Sequence, residues 1–183
     1  MYDNFKTRAE AVSAEVHRFA TKDQALDFII DVLKKEGISD ARGSYAVWAD
    51  CPFLKGVDAK LLSQKVPGLR FDVGREVAAD AKVGISQMDW ALAGTGTLVQ
   101  NSTAVEQRLV SMLSSIHIAL IATDRILTDL AALLTKVSPR ESRYIAFITG
   151  PSRTADIERV LTIGVHGPER LIIDFVDELG GVN

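Results

Sequence analysis

The chain has 183 residues, 47% of them hydrophobic, one cysteine and a formal net charge of −3, enough apolar material for one sizeable core without disulfides. A lone cysteine fits a reducing, cytoplasmic setting, and dispersed Lys and Arg give no basic face for duplex nucleic acid. Asp3, Lys6, Arg8 and Glu10 exclude the apolar core of a secretory signal, and no run approaches the ~20 apolar residues of a membrane span. A single cytoplasmic domain over 1–183 is expected.

Phe5, Ala9, Val12, Val16 and Phe19 are spaced four, three, four and three residues apart, which predicts one amphipathic helix, packed on the chain's own sheet or exchanged within a homo-oligomer. Thr21 caps a second helix with Leu26, Ile29, Ile30 and Leu33 inward and Gly37 as its stop, so a helical pair fills about 2–36. His17 falls near the charged face of the first. Tyr45–Trp48 reads as the first strand and Leu69–Asp72 as the next, with a short helix through Leu61 and Leu62 between them. Glu76–Lys82 reads as helix and Val83–Ile85 as extended, and Ser86 is placed to cap a turn holding Asp89 and Trp90.

Ala91–Gln100 places Gly94 and Gly96 in a segment otherwise suited to a strand. Such glycines mark a bulge or a close approach to the backbone, and Thr95 and Thr97 add hydroxyls. The pattern is neither a P-loop nor a complete G-x-G-x-x-G. A structural bulge and a ligand contact at Thr95, Gly96 and Thr97 both stay open. Ser102 caps a helix carrying Leu109, Val110 and Leu113. Ile116–Ala122 is a strongly apolar strand, within which His117 is either a core residue or a proton-transfer group. Thr123 caps a helix with Ile126, Leu127, Leu130, Leu133, Leu134 and Val137 on one face and Pro139 beyond it.

Tyr144–Ile148 suits a strand covered on both faces, ended by Gly150 and Pro151. Ser152 and Thr154 can cap a following helix, with Asp156 in its first turn and Ile157, Val160 and Leu161 behind. Helix N–H groups at the carboxyl end of a strand are where open α/β sheets bind ligands. Gly150, Ser152, Arg153 and Thr154 are therefore expected to meet Thr95–Thr97 and the loop of His166 and Gly167 in an anion site at the carboxyl ends of the central strands. Arg153 either holds the anion or pairs with Asp156. His166 and His117 are the candidates for proton transfer, and the three histidines stand too far apart in sequence to suggest a metal site. Leu171–Val176 closes the chain as a strand. The alternation implies a largely parallel sheet flanked by helices.

GISQMDWALAGTGTLVQ at 84–100, RLVSML and HIALI within 108–121, FITGPSRTADIERVLTIGVHGP at 147–168 and EVHRFATKDQAL at 15–26 resemble the lactate-utilisation protein C family, whose members carry the LUD domain. The resemblance implies an α/β fold similar to the ribose-5-phosphate isomerase, glucosamine-6-phosphate deaminase and CoA-transferase group. It also implies a cytoplasmic component of a system that oxidises L-lactate to pyruvate beside partners, at least one carrying iron–sulfur clusters. Gly94 departs from the acidic residue that many members have before TGT, and Asn101–Val105 replaces an SSGPG-like loop.

Side chains do not accept the electrons of a 2-hydroxy acid, and one cysteine cannot hold a cluster that needs about four thiolates. This chain is accordingly expected to hold no cofactor alone, to bind a small anionic ligand and to leave the iron–sulfur clusters to its partners. The alternatives are a non-catalytic assembly or ligand-binding subunit, and an independent sugar-phosphate- or CoA-handling enzyme.

Overall fold

The structure is a computed structural model that describes residues 1–138, 140, 142–155 and 162–180. The chain opens with helix α1 (Tyr2–Ala11), strand β1 (Glu15–Phe19) and helix α2 (Lys22–Lys35). It continues through β2 (Tyr45–Trp48), α3 (Ala59–Lys65), β3 (Leu69–Arg70), α4 (Arg75–Ala79), β4 (Ala81–Gln87) and a hairpin of β5 (Trp90–Leu92) and β6 (Thr97–Asn101). Helix α5 (Val105–Leu113) leads to β7 (Ile116–Ala122), β8 (Ile126–Leu127), α6 (Leu130–Leu134) and β9 (Ile145–Ile148). Strands β10 (Arg153–Thr154), β11 (Thr162–Ile163) and β12 (Arg170–Val176) follow.

Six strands form one sheet in the order β1-β12-β7-β4-β2-β3, and each adjacent pair is parallel. Parallel strands joined through helices must be covered on both faces, and every residue of β7 is buried. On one face Ile29, Leu33 and Leu62 of α2 and α3 share a core with Ile118, Leu120, Ile172 and Val176. On the other, Phe5 and Ala9 of α1 and Ala91, Leu98 and Ile126 of a second sheet gather with Ile121, Ile173 and Phe175. That second sheet runs β8-β5-β6-β9, and Leu133 of α6 joins Leu92 and Val99 in a smaller cluster. The α/β architecture with a largely parallel, helix-flanked sheet is as expected.

Helix α2 starts where the sequence places it, with a reciprocal capping box between Thr21 and Gln24 of the kind worth ~1 kcal/mol. The stripe from Phe5 to Phe19, by contrast, is not one helix. Helix α1 stops at Ala11, the chain turns through Ser13 at φ 69°, and Glu15–Phe19 pairs residue for residue with Ile172–Val176. Val16 and Phe19 thus belong to an edge strand that splits the expected helical pair, and Tyr45–Trp48 is the second strand.

The stretch after Thr123 is likewise divided. Ile126 and Leu127 pair with Ala91 and Leu92, and α6 begins only after Asp129, its N-cap, whose Oδ1 accepts the Ala132 N–H. Ser86 is a buried strand residue and Trp90 opens β5. Ser102 caps nothing; its hydroxyl donates to Gln100 Oε1, and α5 starts after Ala104.

Two further expectations change. β9 is an edge strand of the small sheet with Phe147 half-exposed, not a strand covered on both faces. Arg153 and Thr154, expected to begin a helix, pair antiparallel with Ile163 and Thr162. The rest of that helix, with Asp156, Ile157, Val160 and Leu161, lies outside the described residues.

Candidate functional site

Because the six strands run one way, their carboxyl ends open along a single edge of the sheet, the place where open α/β sheets hold ligands. Gln87 ends β4, Ala122 ends β7, and Glu178 and Leu179 follow β12 in a 3₁₀ turn. Together with Lys55, Met88, Asp89, Trp90 and Arg125 they line a cleft of about 650 Å³. A smaller recess of about 120 Å³ continues it past Gln87, Met88 and Asp89 to Cys51, Gln100 and Gln107.

The walls of the main cleft are apolar at Met88, Trp90 and Leu179 and charged between. The Arg125 guanidinium lies 5.0 Å from the Trp90 ring centre and 3.8 Å from the Asp124 carboxylate. The Lys55 ammonium has no acceptor among the described residues; only its backbone carbonyl is used, by Lys22 Nζ. The two acids are occupied by backbone donors. Asp89 Oδ2 accepts the Asn101 N–H at 2.6 Å, and Glu178 Oε2 accepts the Lys22 N–H at 2.7 Å. Crowding by neighbouring atoms pushes the Asp89 carboxyl upward, against the Asn101 N–H and the Arg125 charge, but the residue is exposed and solvent weakens the shift.

The recess is built from side-chain amides. Gln87 Oε1 accepts the Phe53 N–H at 2.8 Å. Gln100 Nε2 donates to the Gln87 carbonyl and to Gln107 Oε1, both at 2.9 Å, and Gln107 Nε2 donates to the Asp50 carbonyl. These bonds tie β4, β6, α5 and the loop after β2 together at one place. Burial raises the Cys51 thiol, so it is not an activated thiolate.

The residues singled out from sequence gather elsewhere. The Thr95, Thr97 and Thr149 hydroxyls form a chain with spacings of 2.7 and 2.8 Å. Gly96 and Gly150, both at φ 67°, lie against the end of α1: a Cβ on Gly96 would stand 2.5 Å from the Ala9 nitrogen, and one on Gly150 2.5 Å from the Val12 oxygen. Arg153 Nη2 donates to the Val12 carbonyl and to Ser13 Oγ. Ser152 donates its N–H to the Pro168 carbonyl and accepts the Gly164 N–H. Thr154 lies in the β10–β11 ladder.

His166 is exposed and, with Gly167, borders a cavity of about 380 Å³ beside Ser115 and Glu169. Residues 12–14, Ser115 and Glu169 lead into the amino ends of β1, β7 and β12. The three segments therefore do converge, but at the amino edge of the sheet, opposite to the expected carboxyl edge, and the close backbone approach that Gly96 and Gly150 permit is made by α1.

His117 is 1% exposed in the second position of β7, whereas the cleft begins at Ala122. Its Nε2 lies 2.9 Å from Ser86 Oγ, Nδ1 has no partner among the described residues, and burial lowers its pKa to about 4. It borders neither cavity. Among the described residues no group of three or more His, Cys, Asp or Glu side chains could hold a metal, and no helix is long and apolar enough to cross a membrane. Gln87, Asp89, Trp90 and Arg125 were missed in the sequence; their signal is position, just past VGIS and HIALIA, the two central parallel strands.

The LUD domain family model matches residues 2–176. Lactate utilization protein C of a Geobacillus species is 33% identical over 178 residues, covering 87% of this chain and 73% of that protein. The proteins of the same name from an Exiguobacterium species and from Halalkalibacterium halodurans are 34% and 35% identical over 59% and 56% of this chain. The chain spans only about half the length of these two, 50% and 47%. The fold resembles the crystal structure of a DUF162 family protein from Deinococcus radiodurans, with a TM-score of 0.64 and 19% identity over 96% of this chain and 95% of that one.

Proposed function

Because the chain belongs to the LUD domain family, we propose that it serves lactate utilisation as the ligand-binding subunit of a system that oxidises L-lactate to pyruvate. The observation that carries this is the pair of cations, Lys55 and Arg125, in the cleft at the carboxyl ends of the parallel strands. Arg125 offers a planar fork suited to a carboxylate, and Asp89 lines the same cleft as a carboxylate within reach of a proton.

L-Lactate loses two electrons and two protons on becoming pyruvate. Side chains do not take up electrons, and Cys51, alone in the sequence, cannot build a cluster. In this reading iron–sulfur clusters on partner proteins would supply the electron acceptor, and the protons would pass to solvent. Dye-linked lactate oxidation should then need this chain together with its iron–sulfur partners, and Arg125→Gln should raise KM for L-lactate more than tenfold with an unchanged circular-dichroism spectrum. Full activity of the partners without this chain, or an unchanged KM, overturns the proposal.

A second reading, an assembly subunit, is favoured by the exposed apolar residues Met112, Tyr144, Phe147 and Val165. It predicts that the chain is needed for the partners to associate and that Arg125→Gln has no effect on KM.

A further inference from the structure

The cleft is much larger than a three-carbon hydroxy acid. At about 650 Å³ it falls within the ~300–1,000 Å³ of cavities that enclose whole drug-sized or cofactor-sized ligands. Its chemistry is also divided. Met88, Trp90 and Leu179 supply apolar and aromatic surface, and Arg125 lies over the indole, a guanidinium plane of the kind on which flat heterocycles stack. Lys55 supplies an ammonium without a protein acceptor among the described residues.

Two carboxylates, Asp89 and Glu178, line the same cleft, so its cations act locally, at Lys55 and at Arg125 beside the indole. Asp89 and Glu178 each accept a backbone N–H, and among the described residues the ion pair of Arg125 is the 3.8 Å contact to Asp124. Past Gln87, the recess offers a polar end, although the Gln100 amide there is bonded to Gln87, Gln107 and Ser102. A flat ring, an anionic group and a polar end in succession describe one ligand class.

We propose that this cleft is a nucleotide site, in which a heteroaromatic base or ring stacks beside Trp90 and Arg125 and its phosphate is held by Lys55. The proposal rests on the reading of the cleft as the ligand site given above, and extends it: lactate shares the cleft with a dissociable ring-bearing phosphate.

Trp90 supplies its own reporter, since the other tryptophan, Trp48, is fully buried. The full chain is titrated with NAD⁺, FMN, ADP and inorganic pyrophosphate while tryptophan emission and heat are recorded. At least one of the three nucleotides should bind with a saturable change in emission and pyrophosphate at least tenfold more weakly, the spread among NAD⁺, FMN and ADP identifying the ring. Trp90→Phe should remove the emission change and weaken binding more than fivefold; Lys55→Gln should weaken nucleotides and pyrophosphate alike. No saturable binding of any nucleotide below millimolar, or equal affinity of Trp90→Phe and Lys55→Gln with the parent, overturns it.

The same samples tested for reconstituted lactate oxidation separate the two proposals. Lactate activity without nucleotide binding overturns this inference alone. Nucleotide binding without lactate activity supports it and overturns the lactate reading.

Discussion

Arg153 donates from Nη2 to the carbonyl of Val12 and to Ser13 Oγ, fastening β10 to the end of α1 across 141 residues of sequence. The last carbonyls of a helix have no intrahelical donor, and a cation there also meets the negative end of the helix dipole. The residue that by sequence suits an anion thus turns its Nη2 to the end of α1.

Arg153→Ala is expected to cost about 1 kcal/mol, below the ~1.5–3 kcal/mol of a charged hydrogen bond because the side chain is exposed. In a chain of this size that lowers the thermal midpoint by roughly 2–4 °C. Differential scanning calorimetry reads it. L-Lactate or nucleotide affinity should stay within twofold of the parent, and a larger loss would return Arg153 to the ligand site.

Gly96 and Gly94 sit two residues apart and should respond differently. Alanine at Gly96 has to adopt φ 67° and places Cβ 2.5 Å from the Ala9 nitrogen, so α1 must move. Left-handed backbone alone costs roughly 1–2 kcal/mol, and Gly96→Ala should lose at least about 2 kcal/mol. At Gly94 the nearest atom to a Cβ is the Thr128 oxygen at 3.1 Å and no positive φ is involved, so Gly94→Ala should cost less than ~1 kcal/mol. Equal urea midpoints for the two variants would contradict the close approach of α1.

Two buried groups give stability opposite dependences on pH. Burial lowers His117 to about 4, below its unfolded value of ~6.5, so its contribution is present above pH ~6.5 and is lost as pH falls toward about 4. Asp174 has both carboxyl oxygens buried without partners among the described residues; burial, and then Glu15, raise it to about 8 from an unfolded ~3.9. Its contribution is present below the unfolded value and is lost as pH rises through about 8. Each slope is about 1.4 kcal/mol per pH unit.

Between pH ~4 and ~6.5 the two nearly cancel, and from ~6.5 to ~8 Asp174 acts without His117, so stability should decline there. Glu36, lowered chiefly by the hydrogen bond from Lys82 and then by Arg170, adds a loss only below the ordinary carboxylate range. Urea midpoints from pH 4 to 8.5 check this. Asp174→Asn should abolish the alkaline decline and uncover a rise between ~4 and ~6.5; a profile unchanged by the substitution would mean the carboxyl is solvated or paired in solution.

What the sequence by itself determined are the elements whose signal is local or uniform. Seven consecutive apolar-compatible residues in β7 require cover on both faces whatever their neighbours, and Thr21 with Gln24 sets the start of α2 within four residues. What it could not decide depended on pairing partners far along the chain. Val16 and Phe19 continue the helical spacing of Phe5, Ala9 and Val12, yet the edge of β12, more than 150 residues away, offers Glu15–Phe19 a full parallel ladder, and those hydrogen bonds prevail over the helical spacing, sending Val16 and Phe19 into the cores on opposite faces of the sheet. Ile126 and Leu127 are taken from a helical pattern by β5 in the same way. The placement of residues 94–97, 150–154 and 164–168 depended on tertiary structure for a related reason: the edge of the sheet beside which they lie is fixed by the direction of β1, β7 and β12, which only the assembled sheet sets, and the opposite edge carries Gln87, Trp90 and Arg125.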